Sequence, residues 1–192
     1  MDLVFFGIQG SGKGTQAKKL AAEFGYDIFE AGGELRKIAA SGSELGKTVK
    51  SYIDAGKLVP FAIIMAVLEQ AVKAKGKEQN ILFDGIPRDE DQKNSFDQIM
   101  ENLGRGFRCL HLTLDPEEGV QRILKRAAIE GRADDASEET IRKRMKTFTE
   151  KTMPVIEAYE KDGKVSTIEG TGSVDEIYER LKQSINNRAM EQ

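Results

Sequence analysis

The stretch Met1-Asp-Leu-Val-Phe-Phe-Gly-Ile-Gln-Gly-Ser-Gly-Lys-Gly-Thr15 decides the fold. Met1 to Gly7 is a short apolar run interrupted only by Asp2, and it reads as a strand buried on both faces, the kind found in parallel sheets. From Gly14 the pattern changes: Ala17, Leu20, Ala21 and Phe24 follow the i, i+3, i+4, i+7 spacing of a helix with one apolar stripe. The glycine-rich turn between them, Gly7 to Thr15, lets backbone N–H groups converge on an anion, and the following helix adds its positive N-terminal dipole. Lys13 supplies a point charge suited to the outer phosphates of a nucleotide. The pattern G-x-x-x-x-G-K-[ST] is met as far as Lys13, with Gly14 at the hydroxyl position and Thr15 after it. The bland alternative is a glycine-rich connector, but a strand before the turn and a helix after it favour phosphate binding.

Outward from this turn, strand and helix patterns alternate. Asn80 to Phe83, Arg108 to Leu114 and Lys164 to Ile168 are short strand candidates. Helical patterns lie near Pro60–Ala74, Glu90–Leu103, Pro116–Arg126, Ser137–Lys161 and Val174–Ile185. That alternation implies a parallel sheet with right-handed crossovers. Two stretches break it. Residues 31–59 carry helical patterns without a convincing strand and read as a helical insert, and Ala127 to Asp135 is a short polar loop between arginine-rich helices. Pro154, inside a long helical pattern, predicts a kink.

With 192 residues the chain fits one domain. Its 29 basic and 32 acidic residues give a net charge of −3, which argues against a generic polyanion binder. Hydrophobic residues make up 39%, enough for a core, yet the longest apolar run, Phe61 to Leu68, is far short of the ~20 residues that cross a bilayer. The N-terminus does not read as a signal peptide. The single cysteine, Cys109, can form no internal disulfide, so a reducing compartment is expected. Cys109 and the only histidine, His111, sit in an apolar strand and read as structural.

Two further signals carry chemistry. Asp84-Gly-Ile-Pro-Arg88 follows a strand, where ligands of open parallel sheets sit. An acid there can organise the water shell of a magnesium ion, and an arginine can clamp phosphate. The alternative is a tight turn with a surface ion pair. The second signal is a set of arginines. Arg122 and Arg126 share a helix face, Arg132 lies beyond the polar loop, and Arg144 sits beside the Ile141, Met145, Phe148 stripe. Each alone could be a solvated surface charge; converging on a phosphate-binding sheet, they would neutralise a transferring phosphoryl group.

Gly10-Ser-Gly-Lys-Gly-Thr15, Gly56-Lys-Leu-Val-Pro60, Asp84-Gly-Ile-Pro-Arg88 with Gln92, and Gly131-Arg-Ala-Asp-Asp135 followed by Arg142-Lys-Arg144 form an ordered set. In that order and spacing the chain resembles the adenylate kinases and their nucleoside monophosphate kinase relatives over nearly its whole length. The resemblance implies an α/β fold of the three-layer phosphate-loop NTPase type with a five-stranded parallel sheet. Within one kinase domain, 1–192, it implies a helical monophosphate-binding insert at 30–59 and a short lid near 127–131. Gly10, Ser11, Gly12, Lys13, Gly14 and Thr15 would hold the ATP phosphates. Arg126, with Arg122 nearby, would contact ATP, and Gly172 would offer backbone to its adenine. Ala31, Lys57, Leu58, Val59, Gly85, Ile86 and Pro87 would line the AMP site, where Arg36 and Arg88 would grip the phosphate and Gln92 would pair with the adenine edge. Arg132 and Arg144 would lie across the transferring group, making Lys13, Arg88, Arg122, Arg132 and Arg144 the catalytic set. Asp84 would hold Mg²⁺ through water, and a short lid without cysteines implies no zinc.

The implied activity is reversible phosphoryl transfer from Mg-ATP to AMP, giving two ADP and serving adenine nucleotide homeostasis. A monomeric, cytoplasmic enzyme with no nucleic-acid or membrane partner is expected. The alternatives are a UMP/CMP kinase of the same fold, for which Ala31 speaks and Gln92 against, a nucleotide-binding switch protein, and a degraded homologue. Against the family pattern, Ala31 stands for a threonine, Gly33 for an acid and Phe61-Ala62 for an acidic pair; the last is expected to bury more of its helix.

Overall fold

The computed structural model describes residues 1–54, 59–130 and 137–189. Five strands, β1 (Asp2–Phe6), β2 (Asp27–Glu30), β3 (Ile81–Asp84), β4 (Phe107–Thr113) and β5 (Val165–Glu169), form one parallel sheet in the order β2-β3-β1-β4-β5. All five residues of β1 are buried, as expected of the central strand. The strand that periodicity misses is β2. It lies at the sheet edge, only Phe29 is buried in it, and so it shows no apolar run.

Helices α1 (Lys13–Phe24), α2 (Ala31–Ala40), α3 (Glu44–Asp54), α4 (Phe61–Lys73), α5 (Glu90–Asn102), α6 (Pro116–Glu130), α7 (Glu138–Thr147), α8 (Met153–Lys161) and α9 (Val174–Ala189) surround it. Leu3, Phe5 and Leu110 on one sheet face pack with Leu20 of α1 and Ile177 and Leu181 of α9. On the other face, an edge-to-face aromatic row runs Phe83–Phe96–Phe107–Tyr159, with ring centroids 5.1, 5.0 and 5.5 Å apart, under α4, α5 and α8. Each such ring contributes roughly 1.5–3 kcal/mol by burial. A third, smaller cluster joins Ile8 of the glycine turn to Val120, Ile123, Ile141 and Met145 of α6 and α7.

Two sequence expectations need correction. The helix expected to end near Arg126 continues to Glu130, so residues 127–130 are helical rather than part of a loop. Phe61 is 41% exposed, so it does not bury the start of α4. Near Pro154 the long helix contains a π-helical turn, Phe148–Thr152, between α7 and α8: a proline cannot donate to the preceding turn, and the wider i→i+5 bonding absorbs the mismatch. Among the described residues, no helix is long and apolar enough to cross a membrane.

The amino edge of the sheet is held by a buried ion pair. Asp2 accepts from Arg105 Nε at 2.7 Å and Nη2 at 2.8 Å and from the Ile81 N–H at 2.8 Å, with the pair's side chains only 2% and 7% exposed. Replacing one partner of a buried pair leaves the other charge uncompensated. Arg105→Met is therefore expected to destabilise the fold by about 3–5 kcal/mol in urea unfolding, and adding Asp2→Asn to recover part of that loss.

Candidate active site

Because the ladder is parallel, β1 and β3 deliver their following turns to the same edge, with Phe5 opposite Asp84 in register. After β1 the chain turns through Gly10 at φ +82, where a side chain would place its Cβ 2.6 Å from the carbonyl oxygen of Gly119 in α6. Only glycine fits both that conformation and that approach. Ser11 is fully buried, and its hydroxyl donates to the Ile8 carbonyl at 2.8 Å, so it closes the turn from inside. Gly12 then caps α1, with the Thr15 and Gln16 N–H groups bonded to its carbonyl.

Lys13 folds back over the turn and donates to the carbonyls of Gly7 at 2.5 Å and Ile8 at 3.0 Å. Burial brings its pKa down to about 8; the Asp84 carboxylate works against that shift and the Arg88 guanidinium with it. Asp84, at the end of β3, is pushed up by burial. Lys13 draws it down, Glu30 on the neighbouring strand pushes it further up, and Arg88 draws it down again. Glu30 is the register partner of Asp84 and accepts from Arg36 Nη2 at 3.2 Å.

The turn after β3 is braced on three sides. Arg88 Nε donates to the Gly85 carbonyl at 2.7 Å, and its backbone N–H donates to Gln92 Oε1 at 2.9 Å. Its carbonyl accepts from Thr152 Oγ1 of the π turn at 2.8 Å. Asp89 caps α5 by accepting from the Gln92 N–H at 2.9 Å. Because Gln92 Oε1 already accepts from Arg88, the amide presents chiefly its NH₂ donor to a ligand. Ala31 and Ile86 are buried in the core, and Val59 is buried just before α4.

On the far side of the glycine turn, Arg122 donates to Glu118 at 2.5 Å and from both Nη atoms to the Gly170 carbonyl at 3.3 Å. This brings α6 to the loop containing Gly172. Arg142 is engaged by Glu117 at 2.6 and 2.8 Å and Glu138 at 2.8 Å. Arg144 is half-buried on α7 beside Ile141 and Met145. Lys57, Leu58, Arg132 and the side chain of Arg126 lie outside what the structure describes. His111 is 9% exposed, near the Phe148 ring, and burial followed by the Lys13 charge holds its pKa below the usual value. It stays neutral at pH 7, in keeping with a structural role.

Sequence reasoning overlooked Glu30, Thr152 and the tie from α6 to the glycine turn through Gly119. Glu30 lies in the strand that periodicity missed. Thr152 had a signal in Pro154, but a kink does not say which side chain it aims. The whole arrangement, a lysine over a glycine turn with an acid and an arginine across from it, can hold and neutralise phosphoryl oxygens.

A family model described as Adenylate kinase matches residues 5–164. An adenylate kinase from Maricaulis maris is 40% identical over 180 residues, covering 92% of this chain and 94% of that protein. Adenylate kinases from Thermus thermophilus, 36% identical over 184 residues (95% and 96%), and Parabacteroides distasonis, 35% identical over 188 residues (97% and 98%), are similar along almost their full length.

A lysine with a folded pKa below its unfolded value of 10.5 carries fewer protons folded than unfolded between about pH 8 and 10.5. The nucleotide-free protein therefore gains stability as pH rises through that interval. Lys13→Met is expected to be the more stable protein at pH 7, with its advantage shrinking by pH 10, as read by urea unfolding at both pH values.

Proposed function

The chain belongs to the adenylate kinase family, and from that premise we propose how its cleft works. It is an enzyme that transfers the terminal phosphoryl group of ATP to AMP, reversibly, giving two ADP, and so balances the adenine nucleotides. The observation that carries the mechanism is the meeting of Lys13, Asp84 and Arg88 at the carboxyl ends of β1 and β3. The acceptor phosphate is already ionised at neutral pH, so no general base is needed. Positioning and charge neutralisation are enough.

In this reading Gly10 to Thr15 cradle the donor phosphates, and Lys13 exchanges its two backbone carbonyls for the outer phosphate oxygens. Arg36 and Arg88 grip the acceptor phosphate; Arg36 leaves Glu30 to do so. Gln92 donates to the acceptor base, with Ala31, Lys57, Leu58, Val59 and Gly85 to Pro87 around it. Arg122, Arg126, Arg132 and Arg144 spread positive charge over the group in flight, and Gly172 meets the donor adenine. Residues 30–59 are read as the acceptor-binding insert and residues 127–131 as the short lid.

Asp84 suits a hard, oxygen-liganded cation such as Mg²⁺. Among the described residues no group of three or more ligating side chains occurs, so most of such an ion's shell would come from phosphate and water. When bound, Mg²⁺ would neutralise phosphate charge. A monomer suffices, because every group named lies on one chain, and the unpaired, buried thiol of Cys109 suits a reducing cytoplasm.

ADP formation from Mg-ATP with AMP, UMP, CMP or GMP tests this reading. AMP is expected to give the highest kcat/KM, and a higher value for UMP or CMP would overturn it. EDTA is expected to abolish turnover. Lys13→Met is expected to keep the fold, by circular dichroism, and lose about 10²–10³-fold in kcat. Ala31→Thr, which returns one neutral hydrogen bond, is expected to lower the KM for AMP about two- to tenfold.

A further inference from the structure

We propose that Gln16 is a positioning residue that ties the seat of the donor's phosphates to the seat of its base, by holding the 170–174 loop onto α1. The proposal rests on reading that loop as the donor base seat. Gln16 stands three residues beyond Lys13 in the first turn of α1 and is 1% exposed. Its Nε2 donates at 2.9 Å to the carbonyl of Val174, the first residue of α9, 158 positions away in the chain. The amide orientation is settled by chemistry, since a carbonyl can only accept.

The other ties on this loop come from elsewhere. Gly170 is held by Arg122 of α6, and Thr171 by Arg180 of α9, whose Nη1 reaches its carbonyl at 2.7 Å. Ser173 and Glu176 form a reciprocal cap at the start of α9, at 2.7 and 3.3 Å. Gln16 alone among these reaches the loop from the phosphate-binding helix. It is not needed to hold α1 and α9 together, because farther along the Tyr178 hydroxyl donates to Glu23 at 2.8 Å and lies 3.2 Å from the Lys19 carbonyl.

The second half of the same amide is unsatisfied: Oε1 is buried without a hydrogen-bond partner among the described residues. A buried, unpaired acceptor lowers stability, and an unbranched apolar side chain of similar length would remove that cost. For packing alone, methionine would serve better here. What the position gains from glutamine is the bond to Val174, which fixes the loop relative to the glycine turn.

Gln16→Met separates this role from a purely structural one. Melting temperature, calorimetric binding of ATP and of AMP, and KM for each are measured beside the parent. The melting temperature is expected to equal or exceed the parent's, the ATP Kd and KM to rise about three- to tenfold, the AMP constants to stay within about twofold, and the preference for ATP over GTP to narrow. Unchanged ATP constants, or equal losses for ATP and AMP, would overturn the proposal. If Gln16→Met does not fold, Gln16→Leu carries the same comparison, and failure of both to fold overturns it too. Gly172→Ala is the control for the loop: Gly172 has φ +106, and a Cβ there would sit 2.8 Å from Glu176 Oε2. If Gly172→Ala leaves ATP binding unchanged, the base-seat reading fails. If it weakens ATP binding while Gln16→Met does not, only the coupling fails.

Discussion

The placement of β1 between β3 and β4, with parallel bonding on both sides, is the constraint on which the cleft depends. A strand with both faces in the core has no solvent face on which to seat a polar group. Apart from Asp2 at its start, whose charge is paired with Arg105, its polar chemistry must wait until the chain leaves the sheet. Parallel registration then makes neighbouring strands leave at the same edge, so the glycine turn after Phe6 emerges beside Asp84. The ammonium of Lys13 and the carboxylate of Asp84 share a poorly solvated space. That is why the lysine's affinity for protons falls and the aspartate's rises, each moderated by the other. In the proposed reaction, a phosphate placed beside Lys13 would offset the cost of that desolvation.

Around this fixed floor the anchoring is uneven. The aromatic row from Phe83 to Tyr159 and the Asp2–Arg105 pair make the sheet and its nearest helices a rigid base. The insert is different. Ala31 is the buried residue of α2, Val49 is buried in α3, and Leu45 and Ile53 face solvent. Its exposed Glu30–Arg36 pair is the kind of surface contact worth about 0–1 kcal/mol. An element so lightly held can change its contacts at small cost, whereas the glycine turn, wedged between Gly119 and the sheet, cannot.

Legibility in the sequence followed burial. The strand and helix flanking the glycine turn could be read because their apolar residues repeat with a clear period, and the aligned motifs located Lys13, Asp84 and Arg88. β2 could not, because an edge strand with one buried residue carries almost no pattern. Phe61 misled because an apolar residue at a helix start looks like core until the neighbouring packing is known. Gln92 was expected to turn its amide to the acceptor base; that its oxygen is already committed to Arg88 was not legible, since that bond depends on the cap geometry of Asp89. Glu30 and Thr152 act through three-dimensional neighbours 54 and 64 positions away, a kind of information no local pattern holds.

The π turn at Phe148–Thr152 has a consequence for how this part of the chain can vary in length. It accommodates one residue more than a regular helix would over the same rise. Removing that residue would give α7 and α8 an uninterrupted hydrogen-bond ladder, a change the helix by itself would tolerate. But successive helical residues are turned by about 100°, so everything on one side of the deletion would rotate by that amount relative to the other. Thr152 could then no longer point at the Arg88 carbonyl while Ile141 and Met145 stay against Ile8. The helix is locally irregular so that its two ends can keep phase with two different partners, and its residue count is set by the cleft rather than by helical propensity.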